Sequence, residues 1–207
     1  MTTIKNNNLS VALNYGTTFF CDLYPKTRIL GNGIKPITTN TKMIGTAFTV
    51  KSHDNANAVL RGLEKAKQGD VLVVDSCDTK KAVAGEIFAT IAKQKGLAGI
   101  IIDGNCRDPE GIERVGVPYY ARSIYPAVSR NEHFGEFQQK INCGGVDIVA
   151  GDIIFADDSG IIALSEKELL ELLPAVEKNH NKEITIFEQI KANQNIRNIF
   201  SWVKWEE

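Results

Sequence analysis

Residues 44–50, 71–75 and 98–103 are apolar runs of strand length, and two stretches of helix length, 55–67 and 85–95, separate them. Runs this short and this continuously apolar suit strands that are buried on both faces. A strand that is followed by a helix and then by a second strand has to return across the sheet. The alternation therefore predicts parallel crossovers and an α/β fold. Gly96 sits where the second helix should end in a left-handed residue. After Pro109 and a short helix the pattern changes to strands and turns, with strands expected at 119–122, 146–149, 153–156 and 161–164. Gly69-Asp70 and Gly151-Asp152 both read as turns that feed apolar strands. Ser165-Glu166-Lys167-Glu168 has the form of a capping box, opening a Leu-rich helix that meets Pro174. At 207 residues and 43% hydrophobic content, the chain fits one domain, 1–207, with a single sizeable core.

Charge and cysteine usage narrow the class. Twenty-four Lys and Arg stand against twenty-five Asp and Glu along the chain, so the basic footprint of a nucleic-acid partner is missing. The first eight residues lack the apolar core of a signal peptide, and no apolar run is long enough to span a bilayer; a cytoplasmic protein without a membrane partner is expected. Cys21, Cys77, Cys106 and Cys143 form no Cys-x-x-Cys pair, which points to buried free thiols rather than a zinc site or a disulfide framework. Cys106 reads as a small buried filler. His53, His133 and His180 share no metal-ligand spacing. The glycines of 99–104 flank a strand instead of opening a helix, so no dinucleotide fingerprint or P-loop is present, which counts against an AdoMet-dependent methyltransferase.

Glu86, Arg107 and Asp108 are the residues most suggestive of chemistry. Glu86 falls at a helix start, and the Arg-Asp pair falls just past the third apolar run, so both belong at one rim of the sheet. A 2-oxo acid asks for this combination. Its carboxylate needs a planar cation and free N–H groups, and its carbonyl, like the enolate left when a neighbouring C–C bond breaks, needs a Lewis acid. Arg107 can supply the cation, and the N–H groups near Ile87 and Phe88 can supply the cradle. Asp108 can hold a hard divalent ion, while Glu86 acts through that ion's waters. Each residue also has a plainer reading. Asp108-Pro109 resembles an N-cap followed by proline at the first helical position, Glu86 suits the helix dipole, and Arg107 with Asp108 could be a surface ion pair.

The spacing Glu86-X20-Arg107-Asp108, with Gly85-Glu86-Ile87-Phe88 before it and Asp103-Gly104-Asn105-Cys106 leading into the pair, resembles the 4-hydroxy-4-methyl-2-oxoglutarate aldolase family. That family has oxaloacetate decarboxylases and the regulator of ribonuclease activity A among its relatives. The likeness runs from about Thr41 to Leu164 and includes Asp54-Asn55, Gly69-Asp70-Val71, Val117-Pro118 with Ala121-Arg122, Gly144-Gly145-Val146 and Ala156-Asp157-Asp158-Ser159-Gly160. It implies a swivelling β/β/α domain with C-terminal helices from about 165, assembled as a homotrimer or homohexamer. It also implies Mg2+ or Mn2+ on Asp108, a pyruvoyl carboxylate on Arg107, metal waters ordered by Glu86, a backbone cradle from Gly85 to Phe88, and Asn55 in the pocket. The ribonuclease regulator lacks the full acid-Arg-Asp set.

The expectation is thus a metal-dependent lyase on a small 2-oxo acid, cleaving 4-hydroxy-2-oxo (di)carboxylates or decarboxylating oxaloacetate. The competing class is a non-catalytic binding protein on the same scaffold. A second polar subsite could draw on His53, Asp54, Asn55 and Arg122. The resemblance also implies an acid donated by a neighbouring subunit, with Glu183, Glu188, Glu206 and Glu207 as candidates. Trp202 and Trp205, in a polar tail, are expected to cover a subunit or core surface.

Overall fold

The computed structural model describes residues 6–77 and 80–206. Two short helices, α1 (Asn6–Ala12) and α2 (Thr17–Leu23), lead into strands β1 (Arg28–Ile29), β2 (Lys35–Pro36) and β3 (Met43–Lys51). The predicted alternation follows as α3 (Ala56–Lys65), β4 (Asp70–Asp75), β5 (Ala82–Ala84), α4 (Glu86–Lys95), β6 (Gly99–Cys106), α5 (Pro109–Val115) and β7 (Tyr119–Ile124). The chain then forms β8 (Glu136–Phe137), β9 (Ile141–Cys143), β10 (Val146–Ile148), β11 (Ile153–Asp157) and β12 (Gly160–Leu164), and closes with α6 (Glu166–Lys191) and α7 (Ile196–Ile199).

The main sheet has the order β1-β12-β11-β3-β4-β6-β7-β2, with β5 added beside β6 and β8 beside β3. Its centre is parallel. Thr46 to Lys51 of β3 run beside Asp70 to Asp75 of β4, Val71 to Asp75 beside Gly99 to Asp103 of β6, and β6 beside β7. The later strands join antiparallel through β11 on β3. This is the mixed α/β, swivelling β/β/α architecture with C-terminal helices.

Period-two alternation divides the central strands between two cores. Leu72, Val74, Ile100 and Ile102 pack under α3, α4 and α5 with Val59, Leu63, Ala89 and Ile112. Val71, Val73 and Ile101 face the opposite way, against Ile141, Cys143 and Ile148 of the β9–β10 hairpin. Each such side chain contributes roughly 1.5–3 kcal/mol by leaving water, which is why both faces of these runs had to be apolar. A third cluster seats α1, α2 and α6 on Ile153, Phe155, Ile162 and Leu164.

The two Gly-Asp turns share one chemistry. Gly69 and Gly151 take φ of 83° and 91°. The aspartate after each folds back to accept an N–H three residues upstream: Asp70 from Lys67 at 2.8 Å, Asp152 from Val149 at 2.9 Å. Asp152 is buried and also grips Arg28 through two bonds of 2.6 and 2.9 Å. The capping box is present in full, with Glu168 N–H donating to Ser165 Oγ at 3.2 Å and Ser165 N–H to Glu168 Oε2 at 2.6 Å. Pro174 does not end α6, which continues to Lys191.

Candidate active site

The loops that follow the parallel strands leave the C-terminal edge of the sheet, and the site is built where β5 and β6 end. Arg107 N–H donates to Ala84 O at 3.0 Å, which draws the residue after β6 against the residue before Gly85. Gly85 is the N-cap of α4. A Cβ placed on it would lie 2.9 Å from Arg107 Cγ, 2.9 Å from Asp108 Oδ2 and 3.1 Å from Arg107 O. Its φ of −170° is open to any residue, so glycine is required there for space alone. Arg107 Nε sits 3.3 Å from Asp108 Oδ2, with the two side chains 33% and 47% exposed. Cys106 is buried just beneath, and burial pushes its thiol up to about 12, so it remains a neutral filler.

Asp108 departs from its capping reading. It occupies the N-cap position of α5 with Pro109 at N1, yet its backbone is left-handed (φ 60°, ψ 50°) and its side chain makes no capping bond. An N-cap normally has β-region angles, and a residue before proline is normally kept extended. Both preferences are overridden here, and the carboxylate is turned onto Gly85 and Arg107 instead of its own helix.

Glu86 is the first residue of α4. Its carboxylate packs over Gly111 of α5, where a Cβ would meet Glu86 Cδ and Oε2 at 2.2 Å, and Arg114 reaches Glu86 Oε1 at 3.4 Å. The first turn of a helix leaves its leading N–H groups without helical acceptors. Phe88 N–H turns back to Gly85 O at 3.0 Å, so the cradle narrows to Glu86 and Ile87. The segment 125–128 walls the site: Tyr125 N–H donates to Cys106 O at 2.9 Å, and Ala82 N–H to Ala127 O at 2.9 Å, which carries the chain across the end of β6. A hollow of about 610 Å³ runs beside α5, lined by Thr38, Thr39, Pro109, Glu113 and Arg114 among others.

Asn55 is not brought into this group. It is fully buried as the N-cap of α3, accepting from Asn57 N–H at 3.0 Å and donating to Asn131 O and His133 O at 3.1 and 2.6 Å, so its amide is spent on holding that loop. His53 stacks on His133 at 3.9 Å and lies 2.6 Å from Glu136 Oε1, a bond that holds the Glu136 carboxyl below the usual range. Asp54 follows in the same left-handed loop. Arg122 is paired with Asp103, whose other oxygen accepts from Gly144 N–H at 2.6 Å. Glu183, Glu188 and Glu206 are exposed on α6 and the tail, and Glu207 lies outside the described residues. Of the thiols, Cys106 and Cys143 are buried as expected, whereas Cys77 is exposed. Among the described residues no three His, Cys, Asp or Glu side chains gather as a metal-holding group, and no helix is long and apolar enough to cross a membrane. Gly111 and Arg114 had escaped sequence reasoning, although an isolated glycine inside a short helix is itself a signal of close packing.

A family model described as RraA-like, Aldolase/RraA, matches residues 17–163. The chain belongs to the Aldolase/RraA family. Among similar proteins, an uncharacterized protein of Methanocaldococcus jannaschii is 31% identical over 96% of both chains. A 4-hydroxy-4-methyl-2-oxoglutarate aldolase of Thermus thermophilus is 30% identical over 72% of this chain and 92% of its own. The solved structure of an RNA-processing inhibitor RraA from Thermus superposes with a TM-score of 0.67 at 32% identity, covering 72% of this chain and 92% of that one. An uncharacterized Pseudomonas syringae protein, at 21% identity, shares the fold over 96% of this chain and 99% of its own, with a TM-score of 0.82. The family thus joins proteins named as aldolases with proteins named as inhibitors of RNA processing, and Glu86, Arg107 and Asp108 all fall inside the matched region.

Proposed function

We propose that this Aldolase/RraA chain is a divalent-metal-dependent lyase on 2-oxo acids, acting by retro-aldol cleavage of 4-hydroxy-2-oxo (di)carboxylates or by decarboxylation of oxaloacetate. The observation that carries the reading is the backbone of Asp108. A left-handed residue before proline is held at a cost of about 1–3 kcal/mol, and what the chain obtains is a carboxylate aimed at Gly85 and Arg107 rather than at its own helix. The name of the Thermus thermophilus aldolase agrees with this chemistry.

The residues present fit a hard cation such as Mg2+ or Mn2+. Asp108 offers oxygens that no capping bond occupies, and a small cation of this kind takes one or two protein carboxylates and keeps its remaining waters. Asp108 would hold the ion and Glu86 would orient those waters. A divalent ion bound there supplies the Lewis acid that a 2-oxo group requires when a neighbouring C–C bond breaks. Arg107, one-third exposed, aligns the substrate carboxylate through its planar fork, and the N–H groups of Glu86 and Ile87 complete that cradle. Gly85 keeps the approach clear, since any Cβ would press on both Arg107 and Asp108.

In this reading the working unit is a homotrimer or homohexamer whose neighbouring chain donates a further acid from its tail. Support comes from α6 and the tail, which leave Ile184, Phe187, Ile190, Trp202 and Trp205 between 39% and 67% exposed, large apolar side chains of the kind that a subunit contact covers. The test is pyruvate release from oxaloacetate and from a 4-hydroxy-2-oxo acid, with and without Mg2+, after subtracting the metal-only background. Metal-dependent release with either substrate is expected. No enhancement with either would move the chain to the class of non-catalytic binding proteins.

A further inference from the structure

We infer that Gly111 and Arg114 are positioning residues that clasp the Glu86 carboxylate from the neighbouring helix and so fix where it stands relative to Asp108. The inference rests on the lyase reading for its meaning, and on α4 and α5 for its geometry. Gly111 and Arg114 lie three residues apart on α5, so they share a side of it, and Asp108 precedes the helix as its N-cap. Asp108 places a carboxylate at the helix start, Gly111 removes a side chain, and Arg114 closes a cation on Glu86 Oε1 at 3.4 Å. A Cβ at position 111 would lie 2.2 Å from Glu86 Cδ and Oε2 and 2.7 Å from Cγ. No real Cβ makes such contacts, so something must shift.

What shifts is decided by how α5 is held. Ile112 is fully buried under the sheet. Lys93 of α4 donates to Val115 O at 2.5 Å, and Glu113 accepts from the Thr39 hydroxyl and N–H at 2.5 and 2.8 Å. α5 is therefore fastened at its buried face, at its C-terminal carbonyls and along its outer side. Glu86, by contrast, is a flexible chain with 42% of its side chain exposed. An alanine at 111 would leave α5 in place and push the carboxylate away. Gly111 thus acts through Glu86, and Arg114 limits the direction in which that carboxylate can turn.

A double-mutant cycle tests this. Mn2+ affinity by titration calorimetry and thermal unfolding are measured for the parent chain, Gly111→Ala, Glu86→Ala and the double variant. In the parent background Gly111→Ala should weaken Mn2+ binding about tenfold, the usual scale for a displaced supporting group, while leaving Tm almost unchanged. With Glu86 already shortened, the same alanine should leave affinity within about twofold and raise Tm by about 2 °C, because alanine is then only a better helix former than glycine. Arg114→Gln should lower kcat with little change in KM, and Arg114→Lys should recover most of it. The same Tm change in both backgrounds, or unaltered Mn2+ affinity in Gly111→Ala, would overturn the clasp. A parent chain that binds no Mn2+ would end the metal reading instead, and the Tm comparison would still decide the clasp by itself.

Discussion

The two edges of the parallel sheet solve the same problem with different residues. Each needs left-handed backbone where helices and strands reverse direction. At the N-terminal edge glycine takes every such position named here: Gly69 before β4, Gly96 before β6 and Gly116 before β7, with φ of 83°, 69° and 74°. At the C-terminal edge the left-handed residues are His53 and Asp54 after β3, Cys77 after β4 and Asp108 after β6, with φ between 50° and 60°. Glycine adopts this region freely, whereas most other L-residues give up roughly 1–2 kcal/mol, and Asp, Asn and His give up less than the rest. The N-terminal edge is relaxed and connects. The C-terminal edge keeps side chains at positions where stability alone would select glycine, and it is the edge that holds Arg107 and Asp108. Strain of this kind collects at sites that bind or react.

The contrast is most exposed to failure at Arg107. Arg107→Lys keeps the charge but loses the fork, and kcat/KM for metal-dependent pyruvate release should fall about a hundredfold, with KM rising and kcat falling together. Near-parental kinetics would reduce Arg107 to a surface ion-pair residue and leave the edge without a carboxylate clamp.

A pair of glycine substitutions sharpens the comparison. Gly85→Ala introduces no backbone strain but drives a Cβ to 2.9 Å from both Arg107 Cγ and Asp108 Oδ2. It should cost at least about tenfold in kcat/KM while stability changes by less than about 1 kcal/mol. Gly116→Ala should do the reverse. Its Cβ would meet only Glu113 O, at 3.9 Å, but its φ is 74°, so about 1–2 kcal/mol of stability should be lost with the parental kcat retained. Urea unfolding and steady-state kinetics on the two variants check this. Matching profiles for both would erase the distinction between the edges.

A smaller effect concerns the thiols. Burial raises the thiols of Cys106, Cys143 and Cys77 alike, but Cys106 and Cys143 are closed off from solvent whereas Cys77 is exposed after β4 with a left-handed backbone. Mass spectrometry after brief alkylation at pH 8 should find Cys77 modified ahead of both. Equal labelling at Cys106 would mean that the end of β6 opens more readily than its packing implies.

Much of this was legible in the sequence, for identifiable reasons. The parallel centre announces itself because Val71 to Val74 of β4 and Ile100 to Ile102 of β6 are buried on both faces and are apolar without a break, and the capping box of α6 is a local code. Two-residue strands such as β1, β2 and β8 leave no periodicity to detect. β9 offers only Ile141 and Cys143 facing inward around a polar Asn142, too short a pattern to separate from a turn. Glu86, Arg107 and Asp108 could be picked out by chemistry and spacing. The left-handed state of Asp108 could not, because Asp-Pro favours an ordinary N-cap locally and only the tertiary contacts with Gly85 and Arg107 displace it. Asn55 enters the expected pocket only through the family resemblance, and its hydrogen bonds to Asn131, His133 and Asn57, which hold the loop before α3, are tertiary contacts that no local pattern announces.

The central claim is that Asp108 holds its conformation for chemistry and against stability. Asp108→Gly tests it with two readings from one variant. Relief of the left-handed strain offsets the added entropy of the unfolded chain, so Tm should stay within about 2 °C of the parent, while Mg2+-dependent pyruvate release should disappear. A variant that melts well below the parent chain and retains its metal-dependent activity would contradict the account, because Asp108 would then be a structural residue at an edge with no reaction to serve.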